Sequence, residues 1–147
     1  MDPVLLEEQL HSRIPLSRQL GARVAEAGMD LVRLTAPLEL NLNHRDTAFG
    51  GSLSSLAILA AWAWLYLASS SEGFHGRIVI QHGAMDYIAP VAGDFEAVCR
   101  RPGTAEWNEF RETLKRRKRA RIELRAAIHS GGRVAATFAG RYVALDG

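Results

Sequence analysis

The chain has 147 residues, 48% of them hydrophobic, with 18 Lys and Arg against 16 Asp and Glu for a formal charge of +2. This is the length of one ordinary domain and the composition of a folded globular protein, so disordered, fibrous and low-complexity classes are excluded and a single domain over residues 1–147 is expected. The near-balanced charge argues against a dedicated nucleic-acid binder. A single cysteine, Cys99, rules out an internal disulfide and a Cys-rich zinc site, and a reducing, cytoplasmic setting is expected.

The amino-terminal segment MDPVLLEEQLHSRIPL carries Asp2, Glu7 and Glu8, where a secretory signal needs a basic flank and an unbroken apolar stretch. A short amphipathic helix is predicted over residues 3 to 11: Asp2 can cap it, Pro3 suits its first position, and Leu5, Leu6 and Leu10 recur at helical spacing. Residues 20 to 38 read as two strands broken by a turn at Gly28 to Asp30, giving a hairpin. A polar loop, Asn41 to Asp46, precedes Gly50, Gly51 and the apolar segment Ser52 to Ala68. Within that segment the longest unbroken apolar run, Leu56 to Ala68, covers 13 residues, short of the ~20 that span a bilayer. No membrane span is therefore expected, and the segment is predicted to be a buried helix ending at Ser69 to Ser71. Its apolar residues cover every face, so protein must surround it.

The second half of the chain supplies the wrapping. Gly76 to His82 and Asp94 to Arg100 read as strands separated by MDYIAPVAG. Arg119 to His129 alternates charged with apolar residues, the pattern of a strand wet on one face and buried on the other. Ser130, Gly131 and Gly132 turn it into an antiparallel partner, Val134 to Leu145. Ala105 to Arg117 places Trp107, Phe110 and Leu114 at helical spacing and should lie on the rim of the sheet. The expected architecture is α+β, an antiparallel curved sheet of about five strands wrapped around a central apolar helix. So little chain remains to cover that helix that a second copy is expected to supply part of the enclosure, giving a homodimer, with a tetramer left open.

Three segments in order, NxNxxxTxFGGSL from Asn41, MDYIAPVAGD over 85 to 94, and FAGRYVAL over 138 to 145, resemble the hot-dog-fold thioesterases typified by the YiiD C-terminal domain. The resemblance covers roughly residues 20 to 145. It implies a hot-dog fold, a homodimer with joined sheets, and hydrolysis of thioesters of coenzyme A or acyl carrier protein. It also implies a loop Asn or Asp near the thioester and a helix amino terminus that points backbone N–H groups at the carbonyl oxygen. A helix start carries unpaired donors and partial positive charge, which suits an oxyanion hole.

The resemblance places Asn43, Gly51 and Ser52 among the candidates for catalysis, with Asp46 added on its own chemistry; Thr47, Phe49 and Gly50 of the same segment are candidates for substrate binding, as is His82, whose strand could line the pocket. The chain departs from the pattern in several places. Asp46 replaces a familiar loop glycine, Phe49 stands where some relatives have His, and Ile58 occupies the place of a helix carboxylate that several relatives carry. Asp46 is then the only carboxylate left in the segment to serve as base, against the simpler reading that it caps a turn. Asn43 carries the same turn reading. Thr47 and Ser52 read more simply as helix caps, and His82 as one of five scattered histidines. No nucleophile elbow is present.

His44, Asp46, His82 and Asp86 lack the spacing of a metal site, and no cofactor is expected. The basic run Lys115 to Arg121 reads as a solvated face, with steering of coenzyme A phosphates or an acidic carrier as its functional alternative. Trp62 and Trp64 read as packing residues, and Cys99 as an unactivated thiol. Two other functions stay open: a non-catalytic acyl-binding module, and a hydratase or dehydratase on the same fold.

Overall fold

The computed structural model describes residues 1–146. Two helices open the chain, α1 (Pro3–Arg13) and the single turn α2 (Leu16–Gln19), followed by the hairpin β1 (Arg23–Ala27) and β2 (Leu31–Ala36). A 3-10 turn at Leu38–Leu40 leads through a loop into α3 (Gly50–Ser71). Then come β3 (Arg77–Tyr87), β4 (Phe95–Arg100), α4 (Thr104–Arg117), β5 (Arg119–Ser130) and β6 (Arg133–Leu145). The strands form one antiparallel sheet in the order β1-β2-β4-β5-β6-β3. Six strands are present where about five were expected.

The predicted cap of α1 is observed, Asp2 Oδ1 accepting from Val4 N at 2.9 Å. β5 has the strict alternation read from its sequence, with Ala120, Ile122, Leu124, Ala126 and Ile128 buried and Arg119, Arg121, Glu123 and Arg125 exposed. Its inner residues and those of β6 pack on α3. Tyr142 is fully buried and donates to Ile58 O at 2.7 Å, tying β6 to the helix backbone. Burial also drives the Tyr142 hydroxyl far above its ordinary pKa.

Thirteen of the 22 residues of α3 are buried by the chain's own sheet and flanking helices. The chain itself thus supplies most of the enclosure of the helix. Leu6 and Leu10 of α1 and Trp107, Phe110 and Leu114 of α4 join the same core. Trp107 meets Trp64 edge to face at 5.2 Å, so α4 lies on the carboxyl-terminal half of α3 as well as along β5. The helix also outruns its apolar stretch, beginning at Gly50 and continuing through Ser71. At 22 residues it is long and apolar enough to cross a membrane, but 67% of its apolar 18-residue window is buried here inside the protein. Trp62 and Trp64 are packing residues that also tie their indoles to the backbone, Trp62 Nε1 to Ile78 O at 3.2 Å and Trp64 Nε1 to Met29 O at 2.9 Å.

The central helix should therefore carry the stability of the whole sheet. Leu56, fully buried in α3, should lose about 2 to 5 kcal/mol of stability on Leu56→Ala, read as a lower urea midpoint with unchanged slope.

Candidate active site

The loop before α3 is held by two asparagines. Asn41, buried, donates through Nδ2 to Leu20 O at 2.9 Å and Pro37 O at 2.8 Å, while its carbonyl accepts from Phe49 N at 2.7 Å. Asn43 closes the turn: Oδ1 accepts from Arg45 N at 2.8 Å and Thr47 N at 3.2 Å, and Nδ2 donates to Thr47 Oγ1 at 2.8 Å and Ala48 O at 3.3 Å. A side-chain amide has two donors and two acceptor positions, and all four of these are engaged within the loop. Thr47 is thus bound to Asn43 and does not cap the helix. Ser52 does not cap it either, because the N-cap is Phe49, whose side chain offers no oxygen.

Asp46 sits in the turn with φ +62°, in the left-handed region. Glycine adopts that conformation freely, and Asp is one of the few other residues that tolerates it. This supplies a backbone reason for the loop glycine of the resembling enzymes. The Asp46 carboxylate is exposed and lines a depression of about 590 Å³ with Leu38, Glu39 and Asp94.

At the tip of α3, the Phe49 carbonyl accepts from Ser52 N at 2.9 Å and Leu53 N at 3.2 Å. The N–H groups of Gly50 and Gly51 precede these and have no acceptor among the described residues. They are the unpaired donors every helix start presents, aligned with the positive end of the helix dipole. The Phe49 ring lies against Gly51, where a Cβ would come within 2.3 Å of Cε2. Tyr87, at the end of β3, donates from its hydroxyl to Gly50 O at 3.0 Å and packs its ring beside Gly50.

The tip therefore joins Phe49, Gly50, Gly51, Ser52 and Tyr87. His82 stands apart: it pairs with Arg141 in the ladder, on the sheet face opposite the one that Tyr142 and Gly140 turn toward α3. Tyr87 was missed in the sequence, where MDYIAPVAG reads as a connection between strands rather than as the end of a long one. Phe49, Tyr87 and Ile88 are each more than half exposed, and Val79 and Ile80 extend this apolar surface along the free edge of β3.

Two other candidate features are accounted for. Among the described residues no cluster of three or more His, Cys, Asp or Glu could hold a metal ion. Cys99 is fully buried on β4, and desolvation pushes its thiol up to about 12.

With this geometry in place, comparison with known proteins decides the family. Residues 4–146 match the model of the family described as "putative thioesterase (yiiD_Cterm)". The chain belongs to this family. It superposes on a crystal structure of a protein of unknown function from Chlorobaculum tepidum TLS with a TM-score of 0.93, at 34% identity over 99% of this chain and 94% of the other. A "putative thioesterase" from Shewanella oneidensis gives 0.88 at 27% identity, over 98% of this chain and 97% of that one. A Pseudomonas aeruginosa protein, "probable thioesterase", gives 0.80 at 21% identity over 97% and 95% of the two chains and shows the shared fold. The sheet wrapped around α3 is the hot-dog fold that these relatives share.

Two measurements test the loop before α3 and the buried thiol of β4. Asn43→Ala removes four hydrogen bonds from the loop and should cost about 1 to 3 kcal/mol, measured by thermal or urea unfolding. Because the folded-state pKa of Cys99 is raised, its thiol should resist a thiol-specific reagent at pH 8 in the native protein and react fully in urea. The stability this burial contributes should fade as pH rises from the ordinary thiol value near 9 toward about 12.

Proposed function

We propose that the chain hydrolyses acyl thioesters of coenzyme A or acyl carrier protein at a site completed where two copies meet along β3. The observation that carries the reading is the pair of unpaired N–H groups at Gly50 and Gly51, on the tip of the helix that the thioesterase fold presents to its substrate. A thioester carbonyl lodged there has its oxygen polarised by the two donors and by the helix dipole. Water then adds to the carbonyl carbon, and the electron pair shifts to the oxygen and is stabilised by those donors. Collapse of the intermediate breaks the carbon–sulfur bond, releasing a carboxylic acid and a thiol that takes up the proton lost by water.

In this reading Gly50 and Gly51 supply the oxyanion end, with Phe49 as the apolar wall, while the Ser52 N–H, already given to Phe49 O at 2.9 Å, holds the first turn rather than the substrate. Asn43 and Thr47 act by holding the loop, and Tyr87 by fixing Gly50. Asp46 is the base candidate on chemical grounds, as the one carboxylate of the loop. The dimer reading rests on the position of β3 at the edge of the sheet, since a long edge strand with Val79 and Ile80 exposed invites pairing with another edge. An antiparallel copy there would bring the start of one β3 beside the Tyr87 end of the other and enclose the helix tip. A charge on that edge, Ile80→Asp, should shift the sedimenting species from two chains to one and lower turnover with it.

A second reading has an observation of its own. α3 carries no acidic residue from Gly50 to Ser71, and Asp46 lies at a turn position where its backbone conformation alone accounts for it. A module that binds acyl thioesters without cleaving them fits those facts.

A panel of acyl-CoA chain lengths assayed with wild type, Asp46→Asn and Asp46→Gly separates the two readings, because both substitutions suit a positive φ. Hydrolysis by wild type with a 10²-fold or greater loss of kcat in both variants supports Asp46 as base. Full activity in both confines Asp46 to the turn while leaving thioesterase chemistry in place. Saturable binding with no turnover by wild type selects the non-catalytic module.

A further inference from the structure

The opposite end of α3 holds a cavity of about 310 Å³, walled by the last turn of the helix, by α4 and by the segment entering β3. Nineteen residues separate Gly50 from Ser69, a distance of about 28 Å at 1.5 Å per residue, so this cavity is remote from the site described above.

Its lining has two characters. Phe74, Trp107, Phe110 and Leu114 give it an apolar wall, with Trp107 and Phe110 stacked at 5.5 Å. The polar part is incompletely satisfied. Ser69 is 1% exposed and its Oγ has no hydrogen-bond partner, and Arg111, whose guanidinium bonds Glu72 Oε1 at 2.6 Å through Nη1, leaves a buried Nε–H without an acceptor. Both residues line the same cavity. A buried donor without a partner is destabilising, and both groups can donate to one class of partner, an oxygen acceptor. The charges around them favour an anionic acceptor: Arg111, Lys115 and Lys118 outnumber Glu72 and Asp146, and Glu72 is already engaged by Arg111 and, at 3.8 Å, by Lys115.

We infer that this cavity is a second ligand site, for a small carboxylate with an apolar body, its oxygens taken by Arg111 and Ser69 and its body against Trp107 and Phe110. The volume is at the lower end of the ~300–1,000 Å³ found for ligand pockets, which limits the occupant to a small acid. Arg111 supplies the charge-assisted bond, the stronger of the two. Lys115 and Lys118 stand at the rim, where they attract the anion without being desolvated. The inference does not rest on the thioesterase reading.

The test is titration of the full chain with benzoate and octanoate, and with benzyl alcohol and 1-octanol as neutral counterparts. Calorimetry gives the affinity, and amide and indole NMR shifts give the location. Saturable binding of at least one carboxylate is expected, at least tenfold tighter than its alcohol, with shifts at Trp107, Phe74 and His75. Arg111→Gln should weaken it tenfold or more, and Ser69→Ala and Lys115→Gln by about threefold each, while Tyr87→Phe at the far tip leaves it unchanged. Should Arg111→Gln fail to fold, Ser69→Ala and Lys115→Gln carry the comparison. Absence of saturation by either acid overturns the assignment. So does equal affinity for acid and alcohol, binding indifferent to all three cavity substitutions, or shifts confined to Phe49, Gly50 and Gly51.

Discussion

The structure depends on one constraint: a helix apolar on every side must be enclosed along its length while its first two N–H groups stay unspent. Enclosure comes from one curved sheet with α1 and α4 filling its open sides, and the bond from Tyr142 to Ile58 O pins the helix against β6. A helix held this way cannot slide or tilt without breaking the packing of Trp62, Trp64 and Leu56. The tip is therefore a fixed point in space rather than a mobile end. The loop before it is fastened as firmly, by the two asparagine side chains and by the Ala48 N to Val91 O bond at 2.8 Å. Preorganised donors are what an oxyanion site requires, because they are in place before charge develops.

Much of this fold was legible in the residues. The strict alternation of β5, the glycine turn into β6, the capped α1 and the unbroken apolar run of α3 each state their conformation through periodicity. The coverage of α3 was less legible, because the sequence of α1 or α4 does not say which neighbour its buried stripe meets. Both join the core around the central helix, and together with the sheet they supply most of its enclosure. The ends of elements were also hard to place. Ser69 to Ser71 look like a stop, yet tertiary packing continues the helix through them. Met85 to Tyr87 look like a connection, yet they pair with Phe138, Thr137 and Ala136 of β6.

The candidate site was legible as a segment but not in the roles of its members. Motif spacing places Asn43, Asp46 and the two glycines together, but it does not show that every hydrogen-bonding position of Asn43 is used within the loop. Nor does it show that Asp46 stands at a positive φ, or that Tyr87 arrives from 37 residues away in sequence to hold Gly50. Such long-range contacts follow from strand register, which a single sequence does not print. His82 is the same lesson reversed: a bulge between Ile80 and His82 sets the face it occupies.

The two ends of α3 are chemically distinct, and the glycine end is the one proposed to receive the thioester. The most direct measurement is an NMR titration of the labelled protein with an acyl-CoA analogue whose sulfur is replaced by methylene, which keeps the carbonyl and cannot be hydrolysed. The amide protons of Gly50 and Gly51 should move downfield together and saturate with the ligand. Saturable binding that leaves those two resonances in place, with the shifts elsewhere on the surface, would contradict the account.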